Sequence, residues 1–204
     1  MAKQEIQIQI PTDWNDITIG EYQKYLDIVD SDRTQEQKAN EIISLFCGIE
    51  KNIINKISVK ELNNIVEKVH KFLNKKEPTE LKKIVDFKNK KYGFIPNLSK
   101  ITTGEYIDIE GYCKDTNKNL HKIMSVLYRE VIVQKKDLYN IESYDPSEIK
   151  EQDFLHFPMG VTLSALNFFF YLGISLTKDF SNFLIVNQMT QKKEVYPQNG
   201  AGIM

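Results

Sequence analysis

Two cysteines in 204 residues, Cys47 and Cys113, argue against a disulfide-stapled scaffold and leave room for one bridge at most. Both stand in helix-like apolar stretches, which fits reduced thiols of a cytosolic protein, and neither has a histidine at a recognisable spacing, so each reads as buried and inert. The three histidines, His70, His121 and His156, are scattered without an HxxxH or HExxH pattern, so a metal site has no sequence support and no cofactor is expected. Walker, GxGxxG and GxSxG phrases are missing, which removes the signatures of nucleotide, dinucleotide and serine-hydrolase chemistry. Charge of one sign is missing as well: the formal net charge is -1 with 27% of residues charged, so no global field announces a nucleic-acid partner. The N-terminus, MAKQEIQIQIPTDW, has no apolar run of signal-peptide length, and the chain is expected to be made and kept in the cytoplasm.

Long apolar runs are scarce, with one near-exception. From Met159 to Leu176, eighteen residues pass without a charge (MGVTLSALNFFFYLGISL). Thr162, Ser164, Asn167 and Ser175 interrupt it and Lys178-Asp179 follows at once, so a buried core or oligomer-interface helix is expected in place of a membrane span. One local charge excess also stands out. Nine lysines face three acids between Lys68 and Lys91, with no arginine among them. Specific phosphate or base recognition leans on arginine forks, so this stretch reads as a solvated surface with at most nonspecific contact to DNA or an acidic partner.

What is present, at 41% apolar residues, is an ordinary globular composition. One phrase occurs twice: Ile-Thr-X-Gly-Glu-Tyr at Ile17 to Tyr22 and again at Ile101 to Tyr106, 84 residues apart. In each copy a threonine precedes a glutamate by three residues (Thr18 and Glu21, Thr102 and Glu105), the spacing of a helix capping box. Ile17 with Tyr22, and Ile101 with Tyr106, occupy the positions of a hydrophobic staple. A paired-carboxylate catalytic or metal site built from Glu21 and Glu105 would explain only the glutamates, whereas a cap explains the whole phrase. Gly20 and Gly104, costly inside a helix, fit its first turn and would admit another chain segment closely.

Further helix starts follow at Thr34 with Gln37, ending at Gly48, and at Ser58 with Glu61, whose helix carries Leu62, Ile65, Val69 and Phe72 on one face. EIQIQI alternates, so Ile6, Ile8 and Ile10 are expected on one side of a short strand that Pro11 ends. Residues 82–95 read as a β-hairpin around KNKK. A helix is expected from Leu120 to Tyr128, then an irregular stretch VIVQKKDLYNIESYDP, a helix started by Ser147, and the apolar helix. The second copy, with KIMSVLY echoing EIISLF, supports a divergent duplication, although a recurring helix-start idiom accounts for it equally. The expected fold is thus mainly α: an N-terminal helical unit over 1–80, a hairpin connector over 81–98, a C-terminal helical unit over 99–186 and an extended tail over 187–204. Phe168, Phe169, Phe170 and Tyr171 cannot all face one side of a helix, so either the core or a partner chain covers them. With Ile6, Ile8 and Ile10 they form the candidate partner interface.

The phrases WNDITIGEYQKYL, YGFIPNLSKITTGEYIDIEGY, NLHKIMSVLYREV and FPMGVTLSALNFFFYLG, in that order, resemble a family of small structural or assembly proteins encoded in the virion-morphogenesis modules of tailed bacteriophages, including crAss-like phages. The likeness runs from about residue 10 to 185, and Lys, Ile and Asn richness suits an AT-rich phage genome. It implies a non-enzymatic virion component near the portal vertex or head-tail joint, assembled in the host cytoplasm and held by portal, capsid or tail proteins or by copies of itself. It carries over no catalytic residue. Alternatives are a tail-assembly chaperone absent from the mature virion, and a membrane-associated protein using residues 159–176.

Overall fold

The fold is that of a computed structural model in which residues 8–147, 150–169 and 171 are described. Contacts divide the chain into a unit of Met1–Ala165 and a unit of Leu166–Met204.

In the first unit, helix starts are set by side chains that satisfy the backbone N–H groups a helix leaves unpaired. Thr18 and Glu21 box the start of α1 (Ile19–Val29), Thr34 and Gln37 that of α2 (Gln35–Cys47), which stops at Gly48 in the left-handed region (φ 63°). A short α3 (Lys51–Ile54) leads to α4 (Val59–Leu73), boxed by Ser58 and Glu61. α4 buries Ile65, Val69 and Phe72, one stripe at helical spacing. A box missed in the sequence, Asp13 with Asp16, starts the 3-10 turn Trp14–Asp16. Rings of Trp14, Tyr22, Tyr25, Phe46 and Phe72 meet at 5.0 to 6.1 Å between centroids, closing the N-terminal helices around one aromatic cluster. The Trp14 indole N–H donates to the Lys75 carbonyl at 3.1 Å, which ties the chain entry to the end of α4.

The hairpin expected over 82–95 is present as β1 (Ile84–Phe87) and β2 (Lys90–Phe94). Its two-residue turn holds Lys88 and Asn89 at φ 50° and 62°, the left-handed pair that matches the twist of a tight hairpin. After a 3-10 turn at Leu98–Lys100 come α5 (Thr103–Cys113), boxed by Thr102 and Glu105, and α6 (Thr116–Leu127). α6 buries Leu120, His121 and every residue from Ile123 to Leu127, so it is the central helix of the unit.

The mainly α expectation is corrected here. Tyr128 does not end the helix but opens β3 (Tyr128–Lys135), and the stretch expected to be irregular continues β3 and turns at Lys136-Asp137 into β4 (Leu138–Ile141). The four strands form one antiparallel sheet in the order β1-β2-β3-β4, so the fold is mixed α and β with helices dominant. β2 pairs β3 over Tyr92↔Glu130, Gly93↔Arg129 and Phe94↔Tyr128, so the hairpin is part of the four-stranded sheet. A bulge between Val131 and Val133 breaks the period-two alternation by which a strand is read, and the turn carries Lys136 at φ 54° where glycine or asparagine would signal it.

The expected N-terminal strand is not formed over residues 8–10, where Ile8 and Ile10 are half-buried; Ile6 lies outside the described residues. The helix expected from Ser147 begins instead as a 3-10 helix, Glu151–His156, and residues 148–149 lie outside the described ones. Residues 159–165 are helical and buried. The Thr162 hydroxyl bonds back to the Pro158 carbonyl at 3.1 Å and that of Ser164 to Val161 at 2.8 Å, which is how this apolar segment tolerates them. Its start meets the start of α1: Ile19 N–H donates to Phe157 O at 3.0 Å and Met159 N–H to Ile17 O at 2.9 Å. A Cβ on Gly20 would lie 3.1 Å from the Leu155 carbonyl oxygen, so the small residue lets that segment approach α1. In the second unit, residues 166–169 and 171 are helical.

Candidate functional site

The two copies of the repeated phrase are helix caps with the same bonds. Glu21 Oε2 accepts from the Thr18 N–H at 2.8 Å and the Thr18 hydroxyl at 2.9 Å, and the Thr18 hydroxyl accepts the Glu21 N–H at 3.2 Å. At the second copy the corresponding distances are 2.6, 2.7 and 3.3 Å. The staple residues diverge. Ile17 is buried and Tyr22 half-buried against Trp14, but Tyr106 is exposed, so the second staple lies at the surface.

What separates the copies is the other carboxylate oxygen. Glu105, only 3% exposed, places Oε1 2.5 Å from Nη1 of Arg129 on β3. The Arg129 Nε–H donates to the Glu142 carbonyl at 2.8 Å and Nη1 to the Val126 carbonyl at 3.3 Å, while the guanidinium lies 5.5 Å from the Tyr144 ring centroid. The Tyr144 hydroxyl donates to Asp108 on α5. A second bridge runs from the Tyr112 hydroxyl to Glu151 at 2.8 Å, with Lys122 Nζ 3.9 Å from that carboxylate. These side chains clamp α5 to β3, to the segment after β4 and to the 3-10 helix. Burial alone would push the Glu105 carboxyl up, but the Thr102 hydroxyl and N–H and the Arg129 charge outweigh it and hold the carboxyl below its ordinary value. Burial and the Glu151 acceptor push Tyr112 up to about 12, and burial with the Asp108 acceptor raises Tyr144.

Beside this clamp an open cleft of about 580 Å³ is lined by Lys90, Tyr92, Ser125, Arg129, Glu130, Glu142, Lys150 and Asp153, among others. Some of its charges are neutralised in place: Lys90 Nζ is 2.5 Å from Glu130, and Lys88 reaches Asp153 at 2.6 Å. Sequence reading missed Arg129, Tyr144, Asp108, Tyr112 and Glu151. One signal was available, since Arg33 and Arg129 are the chain's two arginines among many lysines, and arginine is the residue suited to a buried, forked ion pair.

The other candidates are dispersed. In the lysine-rich stretch, Lys75 pairs with Asp13 at 3.0 Å, and Lys88 and Lys90 are paired as above. Cys47 is buried and its thiol is pushed up to about 11 by burial; Cys113 is half-buried and also raised by burial. Both are free. His121 is buried against Gln23 and its pKa is lowered by burial, whereas His70 and His156 are exposed. Among the described residues no three His, Cys, Asp or Glu cluster as a metal site, and no helix is long and apolar enough to cross a membrane. Of the proposed aromatic interface, Phe168 and Tyr171 are exposed, Phe169 is half-buried, and Phe170 lies outside the described residues. Comparison with models of protein families, with curated proteins and with solved structures finds no match for the chain.

Proposed function

We propose that the protein is a non-enzymatic structural component of a tailed-phage particle, joining or decorating the portal vertex or head-tail region through protein-protein contacts. The phrases that resemble phage morphogenesis proteins carry this reading. It is supported by the use of Glu21 and Glu105 as helix caps, which leaves the repeated phrase an architectural role. Exposed apolar side chains on the β3–β4 hairpin, Ile132, Val133 and Leu138, supply the kind of surface that partner proteins cover. Mass spectrometry of purified virions, combined with antibody-gold labelling, tests it. A fixed copy number at the vertex is the expected result. Absence from particles, with recovery on unassembled tail proteins, would overturn it in favour of an assembly chaperone.

A further inference from the structure

Among the described residues the sheet ends on an open edge. β4 pairs with β3 through Leu138, Tyr139, Asn140 and Ile141, and the Glu142 N–H continues the ladder to the Glu130 carbonyl at 2.9 Å. Backbone groups alternate sides along an antiparallel strand, and the bulge lies on β3, so Glu142 pointing inward means that Ile141 and Tyr139 point their N–H and C=O outward. On that side they have no backbone partner among the described residues. β4 (LYNI) carries neither the charge nor the proline by which edge strands are usually protected, and Leu138 is 77% exposed. The sheet does hold this edge in place: a Cβ on Gly93 would lie 2.5 Å from the Tyr139 ring and 2.8 Å from Ile141 Cγ2, so both side chains rest on β2.

Charge on the edge is arranged end to end. Lys135, Lys136 and Asp137 stand at the hairpin tip and Glu142 at its base, and none of the four is in an ion pair among the described residues. A copy of the same edge laid antiparallel brings the net-positive tip beside the partner's acidic base, whereas a parallel copy would set like against like.

We propose that two copies of this chain join along β4, antiparallel about a twofold axis at Tyr139, to make one continuous sheet. Tyr139 then exchanges both backbone hydrogen bonds with the second copy's Tyr139, Leu138 faces Asn140, and the Lys136-Asp137 turn at the end of β4 lies beside the second copy's Glu142. The contact is self-complementary, as a twofold interface requires. It rests on the edge itself and not on the phage reading, so absence from virions would leave it standing.

Sedimentation equilibrium of the full chain over a wide concentration range tests it. The expected result is a reversible dimer, weakened about tenfold by Lys136→Glu or by Glu142→Lys and restored in the double charge swap, the pair acting twice per dimer. Hydrogen exchange on the wild-type chain gives a second measurement, with the Tyr139 and Ile141 amides slowing as the dimer forms. A monomer at every concentration, a dimer indifferent to both single charge changes, or exchange at these amides that does not respond to concentration would each overturn the proposal.

Discussion

Glu105 and Arg129 meet at 2.5 Å in the interior, one at the start of a helix and the other on a strand. The glutamate also closes the Thr102 cap, so one carboxylate both starts α5 and fastens it to the sheet. Removing the arginine leaves a buried charge without its counter-ion. Arg129→Ala is therefore expected to cost about 3–5 kcal/mol. Arg129→Lys should recover only part of this, because an ammonium cannot reach Glu105 and the Glu142 and Val126 carbonyls together. Urea denaturation of the three proteins checks both values.

The twin caps should respond unequally. Thr18→Ala is expected to lower stability by about 1 kcal/mol, the ordinary loss of an N-cap. Thr102→Ala should cost more, because its hydroxyl and Arg129 share a carboxylate that is buried. Serine at either position should restore most of the loss. Thermal melts of the two alanine and two serine variants decide this, and equal losses in the two alanines would contradict the distinction drawn between the copies.

Acid should weaken the fold in two stages. His121 has a lowered pKa in the folded chain, so the unfolded chain binds a proton more readily, and stability declines as pH falls below about 6.5 toward the folded value. Glu105 is also lowered, so its contribution is complete above the unfolded carboxylate value and is lost as pH falls through the folded one. Stability measured by denaturant from pH 8 downward should show both declines. His121→Gln should abolish the upper stage and leave the lower.

The helix starts were legible because each depends on residues three apart. Thr18 with Glu21, Thr34 with Gln37, Ser58 with Glu61 and Thr102 with Glu105 all form the boxes their spacing predicts. Asp13 with Asp16 went unread because aspartate stands at both positions, in place of the Ser or Thr cap and the longer Glu or Gln partner by which the box is recognised. The sheet depended on distant pairings such as Gly93 with Arg129, which no local pattern reveals. The partners of Arg129 come from α5 (Glu105), the end of α6 (Val126) and the residues just after β4 (Glu142 and Tyr144), which meet at β3, a strand expected to be irregular from Val131 on.

Gly93 tests that sheet directly. It faces Tyr139 and Ile141 so closely that an added methyl would overlap the ring at 2.5 Å, and the Tyr139 hydroxyl is fixed by donating to the Phe94 carbonyl at 2.7 Å. The ring cannot swing away without giving up that bond. Gly93→Ala should therefore cost about 1–3 kcal/mol by overpacking. Tyr139→Ala alone removes the ring and its hydrogen bond and should destabilise too. In the double variant the new methyl occupies space the ring has left, so the two costs should fail to add, with a coupling of about 0.5–3 kcal/mol toward relief. Denaturant titrations of the full cycle measure it. Strictly additive losses would mean that Tyr139 does not rest on Gly93, and that β4 lies elsewhere on the sheet.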